Sequence, residues 1–329
     1  MKLFTSLINT IKEHFRLKLI ICFILCAILP LLILGTISYK ISYNIAKDKI
    51  LKETAISCEK NQHLLENRMT QIENLEDSIH FNLCMLCTTA ERPMSNYLDK
   101  LSAVRNNIAS IADSFNIYHV NIFLPDDSFA SKEGLTFCSL SDLKKYKVQL
   151  SDFSKQGLTP NWIFRKDINF PYMVSKGEEP SGVLSCYRYA KINSQKTCLA
   201  VHITSEELSN YLNTFSEGNP SLSYIINSEG VVLSSTDKKQ IGGSLSNEKL
   251  HAITQNLRLS HFSYDKCEII STPVHNQLFL VTETPDYYIR QSSSFLVKMI
   301  FICFMIIVPL TMLSIIWVAD QMTNKINHL

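Results

Sequence analysis

Only nine glycines are spread over the 329 residues, and neither G-x-G-x-x-G nor G-x-x-x-x-G-K-[ST] occurs. The common backbone cradles for nucleotide phosphates are missing, which argues against ATP or dinucleotide chemistry within this stretch. There is no block of Lys and Arg, and the formal net charge is +2. The electrostatic footprint of a DNA or RNA partner is therefore lacking, and no nucleic-acid role is expected. No Ser/His/Asp arrangement, metal-ligand cluster or paired-carboxylate signature stands out. Between the two longest apolar runs the histidines (His63, His80, His119, His202, His251, His261, His275) come singly. No catalytic residue, metal or cofactor can be named from this pattern, and the chain is not expected to be an enzyme.

What the sequence does hold is apolar material, 46% of residues, concentrated at two places. Leu19–Tyr39 and Met299–Ala319 are uncharged runs of 21 residues, close to the ~20 a helix needs to cross a bilayer core. Each is apolar all round rather than along one stripe, as a lipid-immersed helix must be. Lys2, Lys12, Arg16 and Lys18 precede the first run against the single acid Glu13. The positive-inside rule then places the N-terminus in the cytoplasm. Two crossings return the C-terminus to the same side and leave Lys40–Lys298 outside, in a two-pass protein of the plasma membrane.

Of the ten cysteines, Cys22, Cys26 and Cys303 fall inside the apolar runs and seven lie between them. An odd number cannot pair completely within one chain, and buried thiols are the default reading. Cys84 and Cys87 form one C-x-x-C, but it follows a helical pattern with no strand before it. Cys186 and Cys198 lie on two expected antiparallel strands and could face one another as a disulfide.

Between the spans, Ile41 to about Phe81 contains no Pro or Gly, and Leu51, Cys58, Leu65, Ile72 and Ile79 repeat every seven residues. This predicts one long helix, its seam packed partly on a folded domain and partly on a twin helix in a parallel homodimer. A second helix is expected over Met94–Asp113. Period-two alternation then predicts a strand at Tyr118–Leu124, closed by the turn residues Pro125-Asp126-Asp127-Ser128. Gly182–Ala190 and Thr197–Ile203 read as a hairpin. Thr204-Ser205-Glu206-Glu207 supplies a capping box for a helix to about Phe215. A smaller copy of this order follows: a hairpin of Ser223–Ile226 and Val231–Ser234, a helix capped by Ser246, and two strands near Lys266–Thr272 and Gln277–Thr284.

This layout resembles the double-Cache (dCache) sensory region of bacterial membrane receptors, in which two PAS-like modules stack along one long helix between two spans. Tyr224-Ile225-Ile226-Asn227-Ser228-Glu229-Gly230-Val231-Val232-Leu233 looks like the first hairpin of the membrane-proximal module. Val120-Asn121-Ile122-Phe123-Leu124-Pro125-Asp126-Asp127 resembles the corresponding strand and turn of the distal one. Met322-Thr323-Asn324-Lys325-Ile326-Asn327-His328-Leu329 is similar to the opening of a HAMP linker, with Lys325 where that pattern carries proline. The resemblance implies an α+β membrane protein whose two transmembrane helices flank an extracytoplasmic region of one long helix and two PAS-like modules with antiparallel sheets. The implied divisions are a cytoplasmic tail 1–18, a first span 19–39, a long helix 40–90, a distal module 91–204, a linking helix and proximal module 205–298, a second span 299–319, and a HAMP-like start 320–329.

The resemblance is strongest to the sensor histidine kinases of bacterial two-component systems. The kinase half is expected to lie outside this chain, so a response regulator would be reached only through it. The input half of a chemotaxis receptor is the alternative, and a membrane-anchored extracytoplasmic enzyme a more distant one. Expected partners are membrane lipid and an extracellular small-molecule solute or a solute-binding protein. The distal module concentrates aromatic and cationic residues suited to such a solute, and Trp162, Arg165, Tyr172, Tyr187 and Tyr189 are the candidate ligand-binding residues. Alternation puts Tyr187 and Tyr189 on one face and Arg188 on the other, leaving Arg165 as the better cation.

Overall fold

In the computed structural model the described residues are 15–87, 94–125, 135–146, 160–166, 180–192, 195–212, 219–255, 258–275 and 278–327. The chain divides into two units, one formed by Met1–Glu53 with Asp286–Leu329 and the other by Thr54–Pro285. Two helices account for the first. Helix α1 runs unbroken over Phe15–Cys87, passing through Pro30 and on into the second unit. The last helix covers Asp286–Asn327 and contains Pro309. Within it Lys298–Val318 is long and apolar enough to cross a membrane, and none of that stretch is buried. On α1, Leu25, Leu29, Leu32, Ile33 and Leu34 are likewise exposed. Gly35 sits where an added Cβ would lie 2.9 Å from the ring of Phe304, so glycine permits a close approach of these two helices.

The second unit holds two five-stranded sheets. Helix α2 (Met94–Ser114) leads into the first. It ends in a Schellman-type turn: Asn116 adopts φ 50°, with Ile117 N–H donating to the Ala112 carbonyl and Asn116 N–H to that of Asp113. A short polar side chain tolerates this left-handed position. The distal sheet then comprises β1 (His119–Leu124), β2 (Leu135–Ser139), β3 (Asn161–Arg165), β4 (Val183–Ile192) and β5 (Gln195–Thr204), ordered β2-β1-β5-β4-β3. All its pairings are antiparallel except the edge pair, where β2 runs parallel to β1. Ten residues separate β1 from β2, where a two-residue hairpin turn would have joined them antiparallel.

The proximal sheet comprises β6 (Leu222–Ile226), β7 (Val232–Ser235), β8 (Ser260–Tyr264), β9 (Cys267–Val274) and β10 (Leu278–Pro285). Its order is β7-β6-β10-β9-β8, antiparallel throughout. The β6–β7 turn works as its residues suggest. Asn227 Oδ1 accepts from the N–H groups of Glu229 and Val231, and Gly230 takes φ 82°. Helix α3 (Ser205–Ser209) joins the sheets and α4 (Asn247–Thr254) lies between β7 and β8. The Thr204 side chain accepts from Glu207 N–H at 3.1 Å, as a capping box should. The helix nevertheless stops at Ser209, well short of the expected Phe215, which falls outside the described residues.

The heptad on α1 is spent within the molecule. Cys58, Leu65, Ile72 and Ile79 are buried, as is Met69. Polar contacts show what covers them: Gln62 Oε1 accepts from Thr272 of β9 at 2.9 Å, and Glu76 accepts from Cys186 of β4 at 3.5 Å. The seam thus packs on both sheets from Cys58 to Ile79.

Candidate functional site

Each distal strand has two faces, and the pairing register assigns every side chain to one of them. Cys186, Arg188 and Trp162 face α1. Arg188 Nε lies 3.4 Å from Glu76 Oε2 and its NH1 pairs with Asp77, while Trp162 Nε1 donates to Glu73 Oε1 at 3.1 Å. The opposite face is different in kind. Across its middle, the register aligns Thr136, Asn121, Ala200, Tyr187 and Asn161 on five adjacent strands. Beside that row lie His119, His202, Ser185 and Ile163, then Val183 and Arg165. On the other side come Phe123, Cys198 and Tyr189.

This face is buried and polar together. His119, Asn121, Thr136, Ser185 and His202 are all buried. Some of them satisfy one another: His202 Nδ1 is 2.7 Å from Ser185 Oγ, and His119 Nε2 is 2.8 Å from Thr136 Oγ1. Burial, with His119 and Arg165 nearby, holds His202 well below its ordinary pKa and so neutral. Other groups have no such outlet. Both amide atoms of Asn121 and the Arg165 NH2 nitrogen are buried without a hydrogen-bond partner, and the Tyr187 hydroxyl has only Ser185 beside it. Each such group costs about 1–3 kcal/mol unless something else satisfies it. Asn121 and Tyr187 flank Ala200, the smallest side chain of the row, and Arg165 is near enough to act on the Tyr187 phenol. Phe123, Leu143 and Cys198 complete an apolar wall, with Tyr189 packed against it. Burial raises the Tyr187 phenol to about 12, against the opposing pull of Arg165, so it stays a neutral donor. An apolar cradle with a few convergent, unsatisfied polar groups and one cation is suited to a small polar solute bearing an anionic group.

Of the candidates read from the sequence, Arg165, Tyr187 and Tyr189 are brought to this one face. Trp162 is not. It stands on the α1 side because position 162 has the opposite parity to 165 on β3. Tyr172 lies outside the described residues. Cys186 and Cys198 are both free thiols on opposite faces, with Cys186 opposite Val201 and Cys198 opposite Tyr189, so no disulfide joins them. Asn121, Ala200, His119 and His202 were not singled out by the sequence, where the alternation of β1 marks a half-exposed strand. Their signal was the pair of polar residues at period two on a strand that proves buried on both faces.

A cavity of about 480 Å³ lies elsewhere, lined by Asp113, Asn116, Tyr118, Glu206, Glu207 and Lys238, among others. Its acids are largely engaged: Glu207 accepts from Asn116 Nδ2 at 2.6 Å and pairs with Arg68, and Glu206 accepts from Ser181 N–H. It reads as a structural joint.

No family model and no curated protein matches the sequence. Solved structures do. The extracellular domain of the designated histidine kinase vpHK1S-Z8 aligns with a TM-score of 0.57 at 14% identity, over 75% of this chain and 98% of that one. The sensory domain of the Campylobacter jejuni chemoreceptor Tlp3, solved with isoleucine bound, aligns with a TM-score of 0.52 at 14% identity, over 75% and 97%. The periplasmic sensory domain of the C. jejuni chemoreceptor Tlp1 gives 0.53 at 13%, over 73% and 98%. The two sheets ranged along α1 have the fold of the extracellular sensory domains of chemoreceptors and histidine kinases.

Proposed function

We propose that this chain is the extracytoplasmic ligand-sensing and transmembrane signalling part of a bacterial receptor, most simply a two-component sensor histidine kinase. A small solute carrying an anionic group would bind the distal face, its charge on Arg165 and its neutral polar groups on Asn121 and Tyr187. The observation that carries this reading is the cluster of buried, unpartnered polar atoms around Ala200. Natural structures rarely leave such groups orphaned without a functional reason. The isoleucine bound to Tlp3 makes amino acids one ligand class to try. The C. jejuni chemoreceptors among the similar structures favour a chemotaxis receptor as the second reading of the output.

Two spans, with both termini cytoplasmic, are supported by Lys298–Val318, by the exposed leucines of α1 and by the basic N-terminal flank. A parallel homodimer is supported near the membrane only. There Ile41, Ile45 and Ile56 are exposed, whereas the heptad above them is occupied by the sheets.

The test is thermal-shift and calorimetric screening of the full chain in nanodiscs against carboxylates, hydroxy acids, amino acids and sugars. At least one anionic solute is expected to stabilise the protein, and R165Q and A200L to abolish that response. A solute that binds equally well to both variants would place its site elsewhere.

A further inference from the structure

Strand β3 is only five residues long and forms the edge of the distal sheet. Its alternation does two jobs at once: Arg165 is on the polar face and Trp162 on the α1 face. Trp162 Nε1 donates to Glu73 Oε1 at 3.1 Å, and the same oxygen lies 2.7 Å from Nε2 of His275. His275 directly follows β9, in the proximal module. A single carboxylate oxygen on the helix that enters the membrane unit thus engages donors from both modules. By contrast, Gln62 reaches Thr272 on the proximal sheet, and Glu76 reaches Cys186 and Arg188 on the distal one.

We propose that Glu73 is the positioning residue through which the strand carrying Arg165 is coupled to both α1 and the proximal module. Two donors on one acceptor oxygen are mutually dependent. Displacing Trp162 removes one of the two donors on that oxygen, and losing His275 removes the other. A solute drawing Arg165 inward moves β3, and with it Trp162 three residues earlier in the chain. The shared oxygen exchanges that movement for a changed hold on His275. Coupling of this kind requires an element with two arrangements that both sites bias, and the Glu73 carboxylate has a donor for each. The role in signalling rests on the sensing function proposed above; the coupling itself does not.

The experiment therefore uses no ligand. Hydrogen exchange is followed in the full chain in nanodiscs, in a W317F background that leaves Trp162 as the single tryptophan, since the chain has two. H275A, a change in the proximal module, is expected to raise exchange across residues 161–165 by about threefold or more and to shift Trp162 emission. E73A should do the same, and H275A should add nothing to it. E73Q keeps an acceptor oxygen and should lie closer to wild type than E73A. Unchanged β3 exchange in H275A would overturn the proposal, as would an H275A effect that persists in E73A. If E73A does not fold, the W162F/H275A pair replaces it. Non-additive changes in exchange across residues 267–274 support the junction, and additive ones refute it. Failure to find any solute would count against the sensing function and leave these outcomes unaffected.

Discussion

The two sheets share one strand order, yet their faces turned away from α1 are filled in opposite ways. In the proximal module the positions matching the distal cradle are occupied by the protein itself. Tyr224, Ile226, Ile269, Phe279 and Val281 form a buried cluster with Ile253 of α4. The polar atoms among them are used: the Tyr224 hydroxyl bonds Glu283, which also takes Lys249 Nζ at 2.5 Å. In the distal module Asn121 and Ala200 stand on the strands equivalent to those of Tyr224 and Val281, and the amide is left unsatisfied. One scaffold thus carries an apolar cluster in one copy and a buried, partly unsatisfied polar row in the other. The difference lies in a few side chains rather than in topology.

The contrast can be broken or sharpened by substitution, beginning with the largest effect. F279A should cost about 3–5 kcal/mol in chemical denaturation, because it opens a cavity in a filled core. No new solute should bind there. If F279A were nearly neutral, the proximal face would be a second open site.

The next effect is pH dependence at Glu76 in the distal interface. Its carboxyl is raised from 4.5 to about 8, first by burial and then against the pull of Arg188. A carboxyl raised in the folded state contributes stability that is complete below pH 4.5 and is lost as pH climbs toward 8, by up to about 1.4 kcal/mol per pH unit. E76Q mimics the neutral form and should flatten that slope in denaturation measured from pH 5 to 8. An identical slope in E76Q would refute the assignment.

A smaller effect has the opposite sign. N121L removes two unsatisfied atoms from the cradle and should stabilise the ligand-free protein by about 1–2 kcal/mol while abolishing solute binding. Destabilisation would mean that the amide is satisfied in solution. The smallest contrast concerns the helix caps. T204A removes a bond that exists and should cost about 1 kcal/mol. S246A removes a side chain that makes no cap bond and should cost only a few tenths.

Much of the architecture was legible in the sequence, since long helices, the apolar run at Lys298–Val318 and the turn at Asn227–Gly230 are local signals. The strands that were missed explain themselves. Strand β8 joins β9 through Asp265 and Lys266, both at positive φ (46° and 59°), where Asn-Gly is the usual signal and Asp-Lys gives none. Strands β2 and β3 are five-residue edges, too short for alternation to mark them. The site was half legible. Arg165, Tyr187 and Tyr189 are conspicuous types, whereas Ala200 and Asn121 matter only because a register across separate strands lines them up. Trp162 was conspicuous for a different reason, its bond to Glu73.

Strand β10 is the middle strand of the proximal sheet, and it passes at Pro285 directly into the last helix at Asp286. No residue intervenes between strand and helix. Inserting a single residue after Pro285 would turn the side chains that follow by about 100° about the helix axis. Four inserted residues would nearly restore them. A change of length at this junction is therefore counted in the 3.6-residue repeat of the helix.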